Sequence, residues 1–191
     1  MKKRIGNMAM SLFLVMTLLL CGCGSNSGSG ENTTVQNGNP RGKQQFGTFV
    51  TTKMDGSEVN QDIFSEAELT MVNIWATYCS PCISEMPHLQ ELSEEYADKK
   101  VAIVGIISDV TQAGDPNAVE VIELTGVRYP QLVLSQDLYD NFLHLVQAVP
   151  TTVFVDKDGI RVGDVIMGAK TKEQWSQEIE ARLEMISDGQ E

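Results

Sequence analysis

The chain has 191 residues, 42% of them hydrophobic and 21% charged, which is enough for one domain with a real core plus some extra sequence. Its formal net charge is −12 and its pI is near 4.5. An acidic surface argues against nucleic acid as a ligand and gives no attraction to anionic lipid; it either steers a basic partner or only keeps the protein soluble.

The N-terminus has the pattern of a processing segment. Lys2, Lys3 and Arg4 form a positive stretch, and residues 8–20 form an apolar run too short for a comfortable membrane span. Leu20-Cys21-Gly22-Cys23 follows and resembles a bacterial lipobox. That resemblance implies cleavage between Gly22 and Cys23 and a diacylglycerol thioether on Cys23. The alternative is an ordinary secretory signal cut slightly later. Either one puts the mature protein outside the cytoplasm, and the first anchors it to the cell membrane by lipid. Residues 23–45 are rich in Gly, Ser, Asn and Gln and are expected to form a flexible tether. The globular domain is expected over 46–191.

Within it, residues 46–50 and a following strand flank the turn signal Asp55-Gly56, which predicts a hairpin. Residues 63–68 form a short connector. The apolar run 71–76 predicts a buried strand, and a helix follows the cysteines to about Ala97, with Leu89, Leu92 and Tyr96 on one face and Pro87 as a kink. A second buried strand is predicted over 101–107. Asp115-Pro116 caps and starts a helix that stops near Gly126. A short strand at 131–135, a helix capped by Asp137 and running to about Val146, a strand at 153–155 and another at 160–167 come next. The last helix starts at Thr171 with Gln174 completing a capping box, and Trp175, Ile179, Leu183 and Ile186 form its apolar stripe. The order β-α-β-α-β-α-β-β-α after a hairpin implies an α/β fold: a mixed sheet with helices on both faces.

The chemistry concentrates in Trp75-Ala76-Thr77-Tyr78-Cys79-Ser80-Pro81-Cys82, where a strand delivers a Cys-x-x-Cys pair to a helix N-terminus. Amide dipoles and free N–H groups there favour a thiolate. Cys79 is expected to attack, and Cys82, one turn in, to resolve the mixed disulfide, so the pair shuttles two electrons by thiol–disulfide exchange. A permanent structural bridge is the alternative, but so short a loop removes little unfolded-state entropy. With Cys21 removed and Cys23 blocked, no second cysteine pair remains for a four-cysteine zinc site. A Cys82, Glu85, His88 metal site fits helical spacing, yet Pro87 interrupts the helix and the cysteines already have a role; no metal or cofactor is expected.

Several separated motifs resemble the TlpA/ResA group of thioredoxin-fold, extracytoplasmic thiol–disulfide oxidoreductases. The octapeptide is similar to Trp-Ala-Thr-Trp-Cys-x-Pro-Cys, with Tyr78 where tryptophan is usual. The group's acidic residue and proline are matched by Glu85 and Pro87. Val149-Pro150-Thr151-Thr152 resembles the cis-proline loop, with the Asp156-Lys157-Asp158-Gly159 turn after it. Asn73 stands where thioredoxin has a buried aspartate, as is common in the group, and 108–149 resembles its central insertion.

The resemblance implies that Glu85 accepts a proton from Cys82 or tunes both thiols, a solvated helix glutamate being the alternative. It also implies that Pro150 is cis and that the Val149 backbone pairs with a substrate peptide. Trp75 and Tyr78 are expected to form an apolar rim beside Cys79, with core packing the alternative for Trp75. The implied activity is reduction of disulfides in envelope proteins. The group's client types are apocytochrome c and methionine sulfoxide reductases, and its electron donor is a membrane thiol transporter of the CcdA/DsbD kind. The lack of a histidine between the cysteines favours a reductant over a disulfide-forming oxidase. A peroxidase would need a Pro-x-x-x-Thr-x-x-Cys pattern, which is absent, and a non-catalytic binding lipoprotein would keep only the fold.

Overall fold

A computed structural model describes residues 45–189. The expected signal peptide (1–22), the lipidation site Cys23 and nearly all of the expected tether lie outside the described residues.

The elements are β1 (Val50–Thr52), β2 (Glu58–Asn60), β3 (Leu69–Trp75), α1 (Ser80–Glu95), β4 (Val101–Ile107), α2 (Pro116–Thr125), β5 (Gln131–Val133), α3 (Gln136–Asn141), β6 (Thr151–Asp156), β7 (Ile166–Met167) and α4 (Lys172–Asp188), joined in places by single turns of 3-10 helix. The main sheet has the order β5-β4-β3-β6-β7. β3 runs parallel to β4, and β4 to β5, while β6 is antiparallel to both β3 and β7. This is the expected α/β thioredoxin-type arrangement, a mixed sheet with an N-terminal hairpin.

β3 lies at the centre, and all seven of its residues are buried. A strand covered on both faces must be apolar throughout, because neither set of alternating side chains meets water. Leu69, Met71 and Trp75 join one apolar cluster with Met86, Leu89 and Leu92 of α1, Ala118 and Val121 of α2, and Trp175 and Ile179 of α4. Val72 and Ile74 join a second cluster on the opposite face, closed by Leu138 of α3, Phe142, Leu143 and three further phenylalanines. Phe46 packs with Phe49, Phe64 and Phe142 at ring-centroid distances of 6.0, 5.3 and 4.9 Å.

The small antiparallel sheet β1-β2 lies along the open edge of β5. Thr51 Oγ1 donates to Val133 O at 2.6 Å, Met54 N to Gln131 O at 2.9 Å, and Lys53 bridges Leu132. A sheet edge left bare would offer unpaired N–H and C=O groups.

Three expectations are corrected. Residues 46–49 are not strand, because Phe46 N bonds Gly159 O at 2.8 Å and the segment is committed to the aromatic cluster. The single strand expected at 160–167 is two isolated bridges at Ile160 and Arg161 followed by β7. Gly163 breaks it: its φ is +75°, and a Cβ there would meet Arg182 Nε at 3.1 Å. The cap of α3 is Ser135, whose Oγ accepts from Leu138 N at 3.3 Å. Asp137 instead accepts from Val50 N at 3.1 Å, and the helix ends at Asn141 with a 3-10 turn beyond it. By contrast Asp115 caps α2 and Gly126 ends it at φ +68°, as expected. The Thr171–Gln174 capping box is also formed. α1 runs through Pro87 to Glu95.

Candidate active site

Trp75 ends β3, and the chain turns from Ala76 to Cys79, whose N–H donates to Ala76 O at 3.0 Å. Two residues after β4 hold that turn. Ser108 donates from N (2.8 Å) and Oγ (2.9 Å) to Trp75 O. Asp109 accepts three bonds from Thr77, two from its N–H at 3.1 Å and one from Oγ1 at 2.6 Å. The turn thus enters α1 at a fixed angle.

Cys79 is the N-cap of α1, its Sγ accepting from Cys82 N at 3.3 Å, and a proline follows in the first turn. The sulfurs of Cys79 and Cys82 are bonded at 2.00 Å. The Cys79 sulfur lies at the positive end of the helix, where the dipole and free N–H groups favour negative charge on it when the bond opens. Cys79 is 5% exposed and Cys82 fully buried. Cys79 therefore holds the outer sulfur of the pair.

Beneath the pair, Glu85 is 2% exposed, not a solvated helix residue. Oε1 accepts from Asn73 Nδ2 at 3.0 Å; Oε2 accepts from Trp175 Nε1 at 3.0 Å and from Lys170 N at 3.1 Å. Burial pushes the Glu85 carboxyl above the usual carboxylate range; the bonds from Trp175, Lys170 and Asn73 and the nearby His88 oppose the rise without cancelling it. A buried acid with a raised pKa, one helical turn from a thiol, has the properties of a proton-exchanging partner.

The Val149–Pro150 bond is cis, as expected. The loop is tied to β7 by Gly168 N to Pro150 O at 2.8 Å and to itself by Thr151 Oγ1 to Ala148 O at 2.7 Å. Val149 is half-buried.

Tyr78 is 77% exposed. Trp75 is not part of the expected rim. It is wholly buried and donates from Nε1 to Gln131 Oε1 at 2.8 Å, so its alternative as a core residue is the one the structure takes. The reason is alternation: Trp75 shares a sheet face with Asn73 and Met71 and points into the α1 side.

Thr152, whose Oγ1 accepts from Asn73 Nδ2 at 3.1 Å, was read only as part of the cis-proline motif, and sequence reasoning missed Trp175, Lys170, Asp109 and Gln131 as parts of this site. Trp175 was readable only as a helix-stripe residue. Gln131 is placed by Gly105, whose missing Cβ leaves room for the carboxamide; a Cβ would lie 2.0 Å from Gln131 Oε1. A polar residue heading a strand of otherwise apolar neighbours was the available signal.

Comparison with known proteins gives a consistent result. Residues 40–181 match the family model described as Redoxin. The chain is 31% identical over 137 residues to a "Thiol-disulfide oxidoreductase ResA" of Bacillus cereus, covering 69% of this chain and 75% of that protein. It is 28% identical over 138 residues to "Thioredoxin-like protein YneN" of Bacillus subtilis (strain 168), covering 72% and 78%. Among solved structures it is similar to a thiol:disulfide interchange protein of the thioredoxin family from Chlorobium tepidum TLS. The TM-score is 0.63 at 23% identity, over 74% of this chain and 97% of that one.

Proposed function

This chain belongs to the Redoxin family and is a ResA-like thiol–disulfide oxidoreductase acting on disulfide-containing client proteins, and we propose that it works outside the cytoplasm as a disulfide reductase. The observation that carries the reading is the stacking of Cys79 at the cap of α1, Cys82 one turn inside it, and buried Glu85 one turn further.

The Cys79 thiolate attacks a client disulfide; one client sulfur bonds Cys79 and the other leaves as thiolate. Glu85 takes the Cys82 proton. The Cys82 thiolate then attacks the Cys79 sulfur, the Cys79–client bond breaks, and the client leaves with two reduced sulfurs. The Val149 backbone beside Pro150 supports pairing with an extended client segment, and exposed Tyr78 supports an apolar contact next to Cys79. Electrons return through a membrane thiol transporter of the CcdA/DsbD kind. A lipid on Cys23 and a tether through residue 45 would hold the domain at 46–191 near that donor. The family resemblance suggests two client types, apocytochrome c and methionine sulfoxide reductases.

The direction is tested by the reduction potential of the Cys79–Cys82 pair. A value near about −270 mV, like thioredoxin, supports a reductant; one near about −120 mV overturns it in favour of an oxidase. Clients are tested by Cys82→Ser, which lets Cys79 capture a client but removes the thiol that releases it. Captured envelope proteins with a reducible disulfide support the reading, and an absence of any mixed disulfide contradicts it.

A further inference from the structure

We propose that Asn73 is a positioning residue for proton transfer at Glu85: its carboxamide turns over when Glu85 gains or loses a proton, so that either state of the buried acid is hydrogen-bonded. The proposal rests on the reading of Glu85 as the acid–base partner of Cys82.

The donor inventory around Glu85 leads to it. Oε2 receives Lys170 N and Trp175 Nε1, and neither a peptide N–H nor an indole N–H accepts a hydrogen bond. A proton on Oε2 would point at two donors. The protonated acid must therefore carry its proton on Oε1. There the neighbour is Asn73 Nδ2, at 3.0 Å, again a donor. Held as it is, Asn73 solvates only the carboxylate.

The missing acceptor is on the same side chain. Asn73 is fully buried, and its Oδ1 has no hydrogen-bond partner. A half-turn about Cβ–Cγ, a broad two-fold torsion, exchanges Oδ1 and Nδ2. Oδ1 then accepts from Glu85 Oε1–H. It also faces Thr152 Oγ1, which accepts from Nδ2 at 3.1 Å and whose hydroxyl has a proton to donate in return. Each orientation pairs one amide atom twice and leaves the other unpaired, and the protonation state of Glu85 decides which atom Oε1 can pair with.

Asparagine suits this position for a chemical reason. An aspartate would set a second buried carboxylate beside Glu85, and two such charges resist ionising together. A leucine would offer neither donor nor acceptor. Asn73 is held between Thr152 and Gly105 by sheet register, so the turn needs no backbone motion.

In the reaction, Cys82 S–H gives its proton to Oε1 as the amide turns, and the thiolate displaces the client sulfur from Cys79. The proton stays on Glu85 until it exchanges with solvent or returns to Cys82 when the disulfide is next reduced. The other ionisable groups near Glu85 are Cys82 and His88 of α1, Tyr129 before β5, and Lys170, whose ammonium pairs with Glu178 at 3.3 Å.

Neutron diffraction on the oxidised, deuterium-exchanged protein at low and high pH tests this, since the disulfide leaves Glu85 as the titrating site acid. The expected result is deuterium on Oε1 facing Oδ1 at low pH, and a bare carboxylate facing Nδ2 at high pH. Deuterium on Oε2, or one amide orientation in both crystals while Glu85 changes state, overturns the turn-over and leaves the Glu85 reading intact. A Glu85 with the same protonation in both crystals overturns that reading, and this proposal with it. Asn73→Leu adds a solution check by carboxyl carbon NMR of Glu85. If Asn73 serves both states, the proton affinity of Glu85 rises less than about tenfold; a rise of about tenfold or more fits a fixed donor to the charged form and overturns the proposal.

Discussion

Glu85 combines two properties that pull apart: burial that disfavours its charge and three N–H donors that stabilise it. Removing the proton-accepting oxygen while keeping the shape isolates the first. Glu85→Gln is expected to slow the Cys82 step by about 10²-fold, the low end of general acid–base contributions, and to leave Cys79 attack nearly unchanged. Acid-quenched rapid mixing reads this directly as accumulation of the Cys79–client mixed disulfide, and the pH–rate profile should lose the limb that belongs to Glu85. Trp75 and Tyr78, three residues apart, separate stability from recognition. Trp75→Phe leaves Gln131 Oε1 without its donor and is expected to cost about 1–3 kcal/mol in urea unfolding with little change in client KM. Tyr78→Ala removes an exposed ring and is expected to raise KM several-fold while leaving Tm in place.

Elements hold these residues at the right height, and the close approach of two strands shows how. Gly105 of β4 lies between Asn73 of β3 and Gln131 of β5 in register, and the Gln131 carboxamide fills the space over it. Gly105→Ala would drive that carboxamide off Trp75 Nε1; a loss of about 1–3 kcal/mol is expected from overpacking, with the unmade bond added, as measured by urea denaturation. Gln131 stood out as a polar residue heading an apolar strand, but its contact with Trp75 was not legible in the chain, because the two are 56 residues apart and only register joins them. What was legible is local. Asp115-Pro116 with Gly126, and Thr171 with Gln174, announce helix ends through bonds made within a few residues. The Cys79 turn and the central strand were readable from runs of consecutive residues, the Cys-x-x-Cys motif and an unbroken apolar stretch. The errors fall where a distant partner overrides a local signal: Asp137 has the form of a cap but is taken by Val50, and 46–49 has the form of a strand but is claimed by Phe64 and Phe142. Glu85 was ambiguous on helical spacing alone, since its burial depends on Trp175 of α4, 90 residues on.

Across the whole molecule the two sheet faces divide the work. One packs α3 and the aromatic cluster and, among the described residues, carries no ionisable group in its core; the other packs α1, α2 and α4 and encloses Glu85. That asymmetry gives a pH signature of stability. The folded-state pKa of Glu85 is raised above 4.5, chiefly by burial, so above pH 4.5 the unfolded chain releases this proton before the folded one does. Folding stability from Glu85 is therefore full below pH 4.5 and is lost as pH rises through the folded value. The exposed acids Glu91 and Glu180 run the other way: their lysine partners lower them, so they contribute above the ordinary carboxylate range and lose it in acid. Salt separates the two, since screening weakens exposed pairs and hardly touches a buried group. The expected outcome is that wild type loses stability relative to Glu85→Gln as pH rises from about 4 toward neutrality, by at most about 1.4 kcal/mol per pH unit for one proton, and that about 1 M NaCl leaves this difference in place. Urea unfolding of both proteins at a series of pH values measures it. A difference that stays flat, or that vanishes in salt, would show that Glu85 titrates as an ordinary solvated carboxylate and would remove the acid–base role from the mechanism.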